Sequence, residues 1–127
     1  MLQDIRTTEA PSSALYSQAV RANGFLFLSG QIAVDQVTGT LITGDISEQF
    51  HKVFDQIEAI LRAATLTLAH VVRVEIYLEN ISDFPIVNAL YLKRIPHHPK
   101  PVRQAMQVGH LPMGAKIEIS CIAVENL

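Results

Sequence analysis

The sequence holds one cysteine, no tryptophan and few charges, with only 17% of its 127 residues Asp, Glu, Lys or Arg. A lone Cys121 excludes an internal disulfide framework and any zinc site built on several cysteines. No uninterrupted apolar run exceeds four residues, as at 25–28 and 89–92, so nothing approaches the roughly 20 residues of a membrane-spanning helix. The opening Met1-Leu2-Gln3-Asp4-Ile5-Arg6 lacks the basic start and apolar stretch of a signal peptide. The expectation is a cytoplasmic protein with no membrane partner. Against 12 Asp and Glu stand 10 Lys and Arg, a formal net charge of -2, and no basic run is longer than Lys93-Arg94. That balance argues against nucleic acid as a partner, because such affinity rests on neutralising phosphates. Repeats, low-complexity stretches and long polar linkers are also missing, so residues 1–127 read as a single domain large enough for its own core. A charged fraction below the usual ~25% points to surface covered by another chain.

What is present is periodic. Residues 1–16, with Thr7, Thr8, Pro11, Ser12 and Ser13, read as an irregular arm. Residues 17–21 and 25–28 flank Asn23-Gly24, the strongest short signal for a hairpin. A loop with Asp35, Thr38-Gly39 and Gly44 follows. Phe50, Val53, Phe54, Ile57, Ile60, Leu61 and Ala64 then recur at spacings of three and four and predict one buried helical face. Asp45 and Glu48 form a capping pair for its start. Residues 71–79 alternate, with Val72, Val74, Ile76 and Leu78 on one face and Arg73, Glu75, Tyr77 and Glu79 on the other. Ser82 is placed to cap a second helix over residues 83–93, with Pro85 in its first turn and Phe84, Val87, Leu90 and Tyr91 inward. Pro96, Pro99 and Pro101 bar regular structure until strands at 102–108 and 116–124, which flank the turn at 111–114. The expected fold is α+β, one mixed sheet with both helices packed on one face. The opposite face is left to meet a partner subunit.

No phosphate loop, nucleophile elbow or His-Glu-x-x-His motif appears, so any chemistry rests on scattered residues. Arg103 lies in an otherwise nearly uncharged strand, where a guanidinium needs an anion. That anion is either a ligand carboxylate or one of Glu75, Glu79 and Glu118. Glu118, between Ile117 and Ile119, is either a solvent-facing residue of an alternating strand or a carboxylate able to polarise water. Tyr16 and Asn88 have the ordinary alternative of a satisfied hydrogen bond. His97-His98 has no third ligand at metal spacing, so no metal is expected. His51 stands four residues before Asp55 and is expected to pair with it. Cys121, among Ile119, Ile122 and Ala123, reads as a buried, inert thiol.

Taken together, these residues resemble the reactive-intermediate deaminase A (RidA, or YjgF-like) family, whose members also carry the names perchloric-acid-soluble protein and endoribonuclease L-PSP. The likeness runs through Ile5-x-Thr7, Ala10-Pro11, Tyr16-Ser17-Gln18-Ala19-Val20, Ser29-Gly30-Gln31-Ile32, Thr38-Gly39 and Gly44-Asp45. It continues through Val71-Val72, Asp83-Phe84, Val87-Asn88 and Arg103 to Leu111-Pro112-x-Gly114-Ala115-x-Ile117-Glu118-Ile119. The resemblance implies a chorismate-mutase-like fold, a homotrimer, and ligand clefts between subunits. It implies hydrolysis of small 2-imino acids, formed from enamines after pyridoxal-phosphate lyases act, to 2-keto acids and ammonia without a cofactor. By the same likeness Arg103 would grip the substrate carboxylate and Glu118 would hold or activate water. Tyr16, Ser29, Gly30, Asn88 and the main chain of Ala105 would line the pocket. The chain departs from the family pattern at Ala14-Leu15, Thr65, Arg94-Ile95 and Ala105, the last replacing a cysteine, and its loop before Arg103 is short and Pro-rich. Two other functions remain open: a non-catalytic trimer that binds 2-keto acids or related carboxylates, and an endoribonuclease or translation inhibitor.

Overall fold

The computed structural model describes residues 2–95 and 97–126. Its elements are β1 (Gln3–Ile5), β2 (Ala19–Ala22), β3 (Phe25–Leu28), α1 (Ile46–Ala63), β4 (Val71–Leu78), α2 (Phe84–Arg94), β5 (Val102–Gln107) and β6 (Ile117–Val124). The strands form one mixed sheet in the order β1-β2-β3-β6-β4-β5, in which only β4 and β5 run parallel. Leu26, Leu28, Val74, Ile76, Leu78, Ile117 and Ile119 give the sheet one apolar face. It shares a core with Phe50, Phe54, Ile57 and Ile60 of α1 and Val87 and Tyr91 of α2. This is the expected α+β arrangement. No helix among the described residues is long and apolar enough to cross a membrane.

Local chemistry explains the elements. Asn23 and Gly24 take φ of 51° and 81° between the paired Ala22 and Phe25, the double positive φ that a two-residue hairpin turn requires. Asp45 accepts from the Glu48 amide at 2.9 Å and Glu48 accepts from the Asp45 amide at 3.3 Å, closing the capping box that starts α1.

Three expectations are corrected. The first 16 residues are not wholly irregular, because β1 pairs with β2 from Gln3↔Arg21 to Ile5↔Ala19. Three residues with a single buried apolar side chain, Ile5, are too few to show alternation. A register shift between Val71 and Arg73 in the β4–β6 pairing puts Val71 into the core and turns Val72 out to 38% exposure. Ser82 does not cap α2. The Asn80 side chain accepts from the Ser82 amide at 3.0 Å and opens a 3-10 turn at Ile81–Asp83 that leads into the helix. Asn is well suited to this, because its short amide reaches the backbone two residues on.

Four buried glutamines hold the loops to the core. Gln18 accepts from the Thr7 amide at 2.7 Å and donates to the carbonyls of Thr7, Ala10 and Pro11 at 3.0, 2.9 and 2.9 Å. Gln56 donates to the Gln31 side chain and the Ile32 carbonyl at 3.1 and 2.8 Å and accepts from the Val34 amide at 3.0 Å. Gln49 accepts from the Lys116 amide at 2.9 Å. Gln18→Leu keeps the volume but strands the arm's backbone groups, so denaturant unfolding should show a loss of about 2–4 kcal/mol. A change below about 0.5 kcal/mol would show that the arm is satisfied without Gln18.

Candidate functional site

Arg103 sits on β5, the edge strand beside β4. The pairings Val74↔Arg103 and Ile76↔Ala105 send both side chains to the helix-covered face, since residues in register across a sheet share a face. There α2 presents Phe84, Asn88 and Tyr91, spaced four and three residues apart on one side of the helix. Asn88 Oδ1 accepts from Arg103 Nη1 at 2.8 Å. The guanidinium carbon lies 4.9 Å from the Tyr91 ring centroid and 5.4 Å from that of Phe84. Glu75 is engaged elsewhere, by Arg73 Nε at 3.0 Å and by the Tyr77 hydroxyl. Among the described residues no carboxylate forms an ion pair with Arg103, so the partner expected at Glu75, Glu79 or Glu118 is not there. The guanidinium is oriented by two rings and a neutral amide and faces a cleft of about 400 Å³ that Asn88, Tyr91 and Pro101 also line. One N–H is used on Asn88. The rest of the planar fork is free to take a carboxylate bidentately.

Glu118 belongs to a second group. On β6 it lies between buried Ile117 and Ile119 and opposite Tyr77, so it points to the open face of the sheet. Burial pushes its carboxyl above the usual carboxylate range. Beside it passes Gly30, where an added Cβ would stand 2.5 Å from Glu118 Oε2 and 3.0 Å from Cδ. The strap carrying Gly30 is tied on both sides. Ser29 donates from its amide to the Gln18 carbonyl at 2.9 Å and from its hydroxyl to the Ser17 carbonyl at 2.6 Å. Gln31 and Ile119 exchange backbone bonds at 2.8 and 3.1 Å. The Ser29 hydroxyl is therefore committed to backbone and acts by fixing Gly30. Tyr16, 52% exposed, shares with Gly30 a cavity of about 390 Å³.

The candidate residues thus fall into two clusters. Arg103, Asn88 and Ala105 lie on the helix side at β5, and Glu118, Gly30, Ser29 and Tyr16 lie at the β3–β6 end with Glu118 on the open side. β4 separates β5 from β6, which sets the two strands ~10 Å apart, and Arg103 and Glu118 point to opposite faces. One chain does not bring them together. The open face also carries partly exposed Phe25, Phe27, Val102 and Met106, apolar surface of the kind another chain covers.

The remaining candidates take structural places. Cys121 is fully buried and its thiol is pushed up to about 12, which removes it as a nucleophile at neutral pH. Among the described residues no group of three His, Cys, Asp or Glu side chains is arranged to hold a metal. His51 and Asp55 do not pair with each other as expected, because Arg94 reaches both, at 3.2 Å to His51 Nδ1 and 3.1 Å to Asp55. Arg94 also covers the Phe54 ring at 5.3 Å. What sequence reasoning missed is that Phe84 and Tyr91 serve Arg103. The spacing 84, 88, 91 on one helix was the available signal.

A family model described as Endoribonuclease L-PSP matches residues 7–125. The crystal structure of YyfA from Yersinia pestis, a Rid-family protein of unknown function, superposes with a TM-score of 0.94 at 37% identity, covering 98% of this chain and 99% of that one. The chain belongs to the Rid family. Among other Rid relatives, a RutC family protein of Pyrococcus horikoshii is 41% identical over 99% of this chain and 100% of its own length. Reactive Intermediate Deaminase A, chloroplastic, of Arabidopsis thaliana is 38% identical over 95% of this chain and 65% of its own length.

In this Rid chain the raised Glu118 carboxyl has a thermodynamic consequence. The folded state keeps the proton at pH values where the unfolded chain has released it, so stability falls as pH rises through that window. Glu118→Gln removes this dependence. The stability of the variant relative to wild type should therefore grow as pH rises through and above the ordinary carboxylate range, and level off once the folded carboxyl has also ionised. A difference flat across that range, measured by urea unfolding, would contradict the burial of a titrating group.

Proposed function

We propose that the protein hydrolyses small 2-imino acids to 2-keto acids and ammonia, in a cleft that two copies of the chain form within a homotrimer. The observation that carries this reading is Arg103, a guanidinium oriented by Phe84, Tyr91 and Asn88 with no ion-pair partner among the described residues. The name of the Arabidopsis relative, a reactive intermediate deaminase, supports the same chemistry. Such substrates arise from enamines released by pyridoxal-phosphate-dependent lyases.

Arg103 of one copy takes the substrate carboxylate bidentately, which fixes the imine carbon for attack. Glu118 of a second copy holds a water near Gly30 and takes its proton as the oxygen bonds to C2. The C=N π pair moves to nitrogen, which receives the water proton back from Glu118 to give a carbinolamine. Glu118 then passes the hydroxyl proton to the amino nitrogen, the C–N bond breaks with its electron pair leaving on ammonia, and the freed oxygen pair closes the ketone C=O. Atoms balance as imine plus water to keto acid plus ammonia. No cofactor is needed, because an imine carbon is already electrophilic, and no thiol takes part at Ala105. The division of the residues over two sheet faces supports the second copy in this reading.

The test pairs purified protein with an amino-acid lyase or oxidase that makes the imino acid in place, and follows the imine with a nucleophilic trap. Accelerated imine loss that requires Arg103 is the expected result. Saturable 2-keto acid binding with imine loss no faster than a protein-free control would overturn catalysis in favour of a carboxylate-binding trimer.

A further inference from the structure

The cavity beside Gly30 has a chemical character that the reaction itself does not demand. It holds about 390 Å³ and is walled by Tyr16, Ile32, Pro112 and Met113, and no charged side chain among the described residues lines it. Its polar side chains are neutral, and two are already occupied. Gln31 is bonded to the Ser29 carbonyl and to Gln56, and Gln36 donates to the Val34 carbonyl at 3.4 Å. The cavity begins where the chemistry would occur, because Gly30 lines it and also borders the Glu118 carboxylate.

Met113 marks it further. It stands at φ 58°, directly before Gly114 at φ 71°, a conformation that glycine or asparagine adopts more cheaply than methionine. The residue is 61% exposed, so core packing does not explain it. A long, unbranched, polarisable side chain on the rim of a cavity is suited to cover apolar ligands of varied shape.

Resting on the deaminase reading above, we infer that this cavity receives the side chain of the substrate and, among small 2-imino acids, selects those whose apolar side chain is larger than a methyl group, with Met113 as the specificity-determining residue. Acidic side chains are refused because the wall offers no cation for a desolvated carboxylate. A methyl group leaves most of the volume unused and forfeits the apolar burial.

The test compares kcat/KM for imino acids generated by an amino-acid oxidase from leucine, alanine and glutamate. Wild type is expected to favour the leucine-derived substrate at least about tenfold over each of the others, roughly what one or two buried methylenes confer. Met113→Glu should lower the leucine-to-alanine ratio about tenfold. Met113→Gly, which suits the positive φ and guards against misfolding, should lower it too. Equal use of the three substrates, or a ratio unmoved by both variants, overturns the inference. If no imino acid is turned over, the deaminase reading falls and calorimetry decides this one separately. Preferential binding of 4-methyl-2-oxopentanoate over pyruvate, lost in Met113→Glu, sustains the subsite, and equal binding overturns it.

Discussion

Replacing Arg103 with alanine is expected to lower imino-acid turnover about a thousandfold, roughly 4 kcal/mol of transition-state binding. Stability should fall by only about 1 kcal/mol. The side chain sits on an exposed edge strand, and what it contributes to folding is one hydrogen bond to Asn88 and two ring contacts, together about 1 kcal/mol at such a site. Arg103→Lys separates charge from shape. An ammonium keeps the positive charge but lacks the planar fork, so an intermediate loss of about ten- to a hundredfold is expected. Turnover measured with the coupled oxidase assay, beside a thermal melt of each variant, distinguishes this from unfolding. A wild-type rate in Arg103→Ala would end the carboxylate clamp, and with it the mechanism.

Gly30→Ala is expected to have the second largest effect, by a different route. Gly30 has no left-handed φ to protect, unlike Gly24 at 81°, so alanine brings no backbone strain there. What the methyl group meets is the end of the Glu118 side chain, at 2.5 Å from one carboxylate oxygen. A side-chain terminus yields cheaply, so folding should be altered by less than about 1 kcal/mol. The carboxylate, however, must leave the position from which it addresses water, and a displacement near 1 Å at a reacting group costs about a hundredfold. Gly24→Ala is the mirror-image control, with a positive φ and nothing near the added methyl. It should cost about 1–2 kcal/mol of stability and leave turnover per folded molecule unchanged. If Gly30→Ala is as active as wild type, Glu118 is not the group that handles water.

The periodic parts of this fold were legible from sequence, and the reasons are physical. α1 shows its face because seven apolar residues recur at helical spacing, and the hairpin shows itself because Asn23-Gly24 is chemistry that few other structures require. β4 read correctly from Val74 onward and failed only at Val72, where the register slips by one residue. Patterns of hydrophobicity carry no mark of such a bulge. β1 escaped because three mostly polar residues hold no period. The buried glutamines were invisible for a related reason: a side chain read as polar is assigned to the surface, whereas Gln18 and Gln56 are inside because backbone groups of loops need partners there.

The site was legible as a set of residues and illegible as an arrangement. Arg103 stood out from its uncharged strand, but its surroundings did not, because which carboxylates flank it depends on the parallel pairing of β5 with β4. That pairing sets Arg103 level with Val74 rather than beside Glu75. Alternation assigned Glu118 to the face opposite Ile117 and Ile119, and only the sheet order reveals that this face is not the one Arg103 uses. The division of the two groups is what makes a second copy of the chain part of the proposed site.

That division yields the most direct test. Arg103→Ala and Glu118→Gln are each expected to be inactive alone, and each leaves the other residue intact. The two variants are mixed in equal amounts, unfolded, refolded together and assayed for imino-acid turnover. If each cleft takes Arg103 from one copy and Glu118 from another, about a quarter of the clefts in randomly mixed oligomers receive both residues, and activity returns to about that fraction of wild type. Refolded mixtures that assemble as wild type does and remain as inactive as either variant alone would contradict a site shared between copies.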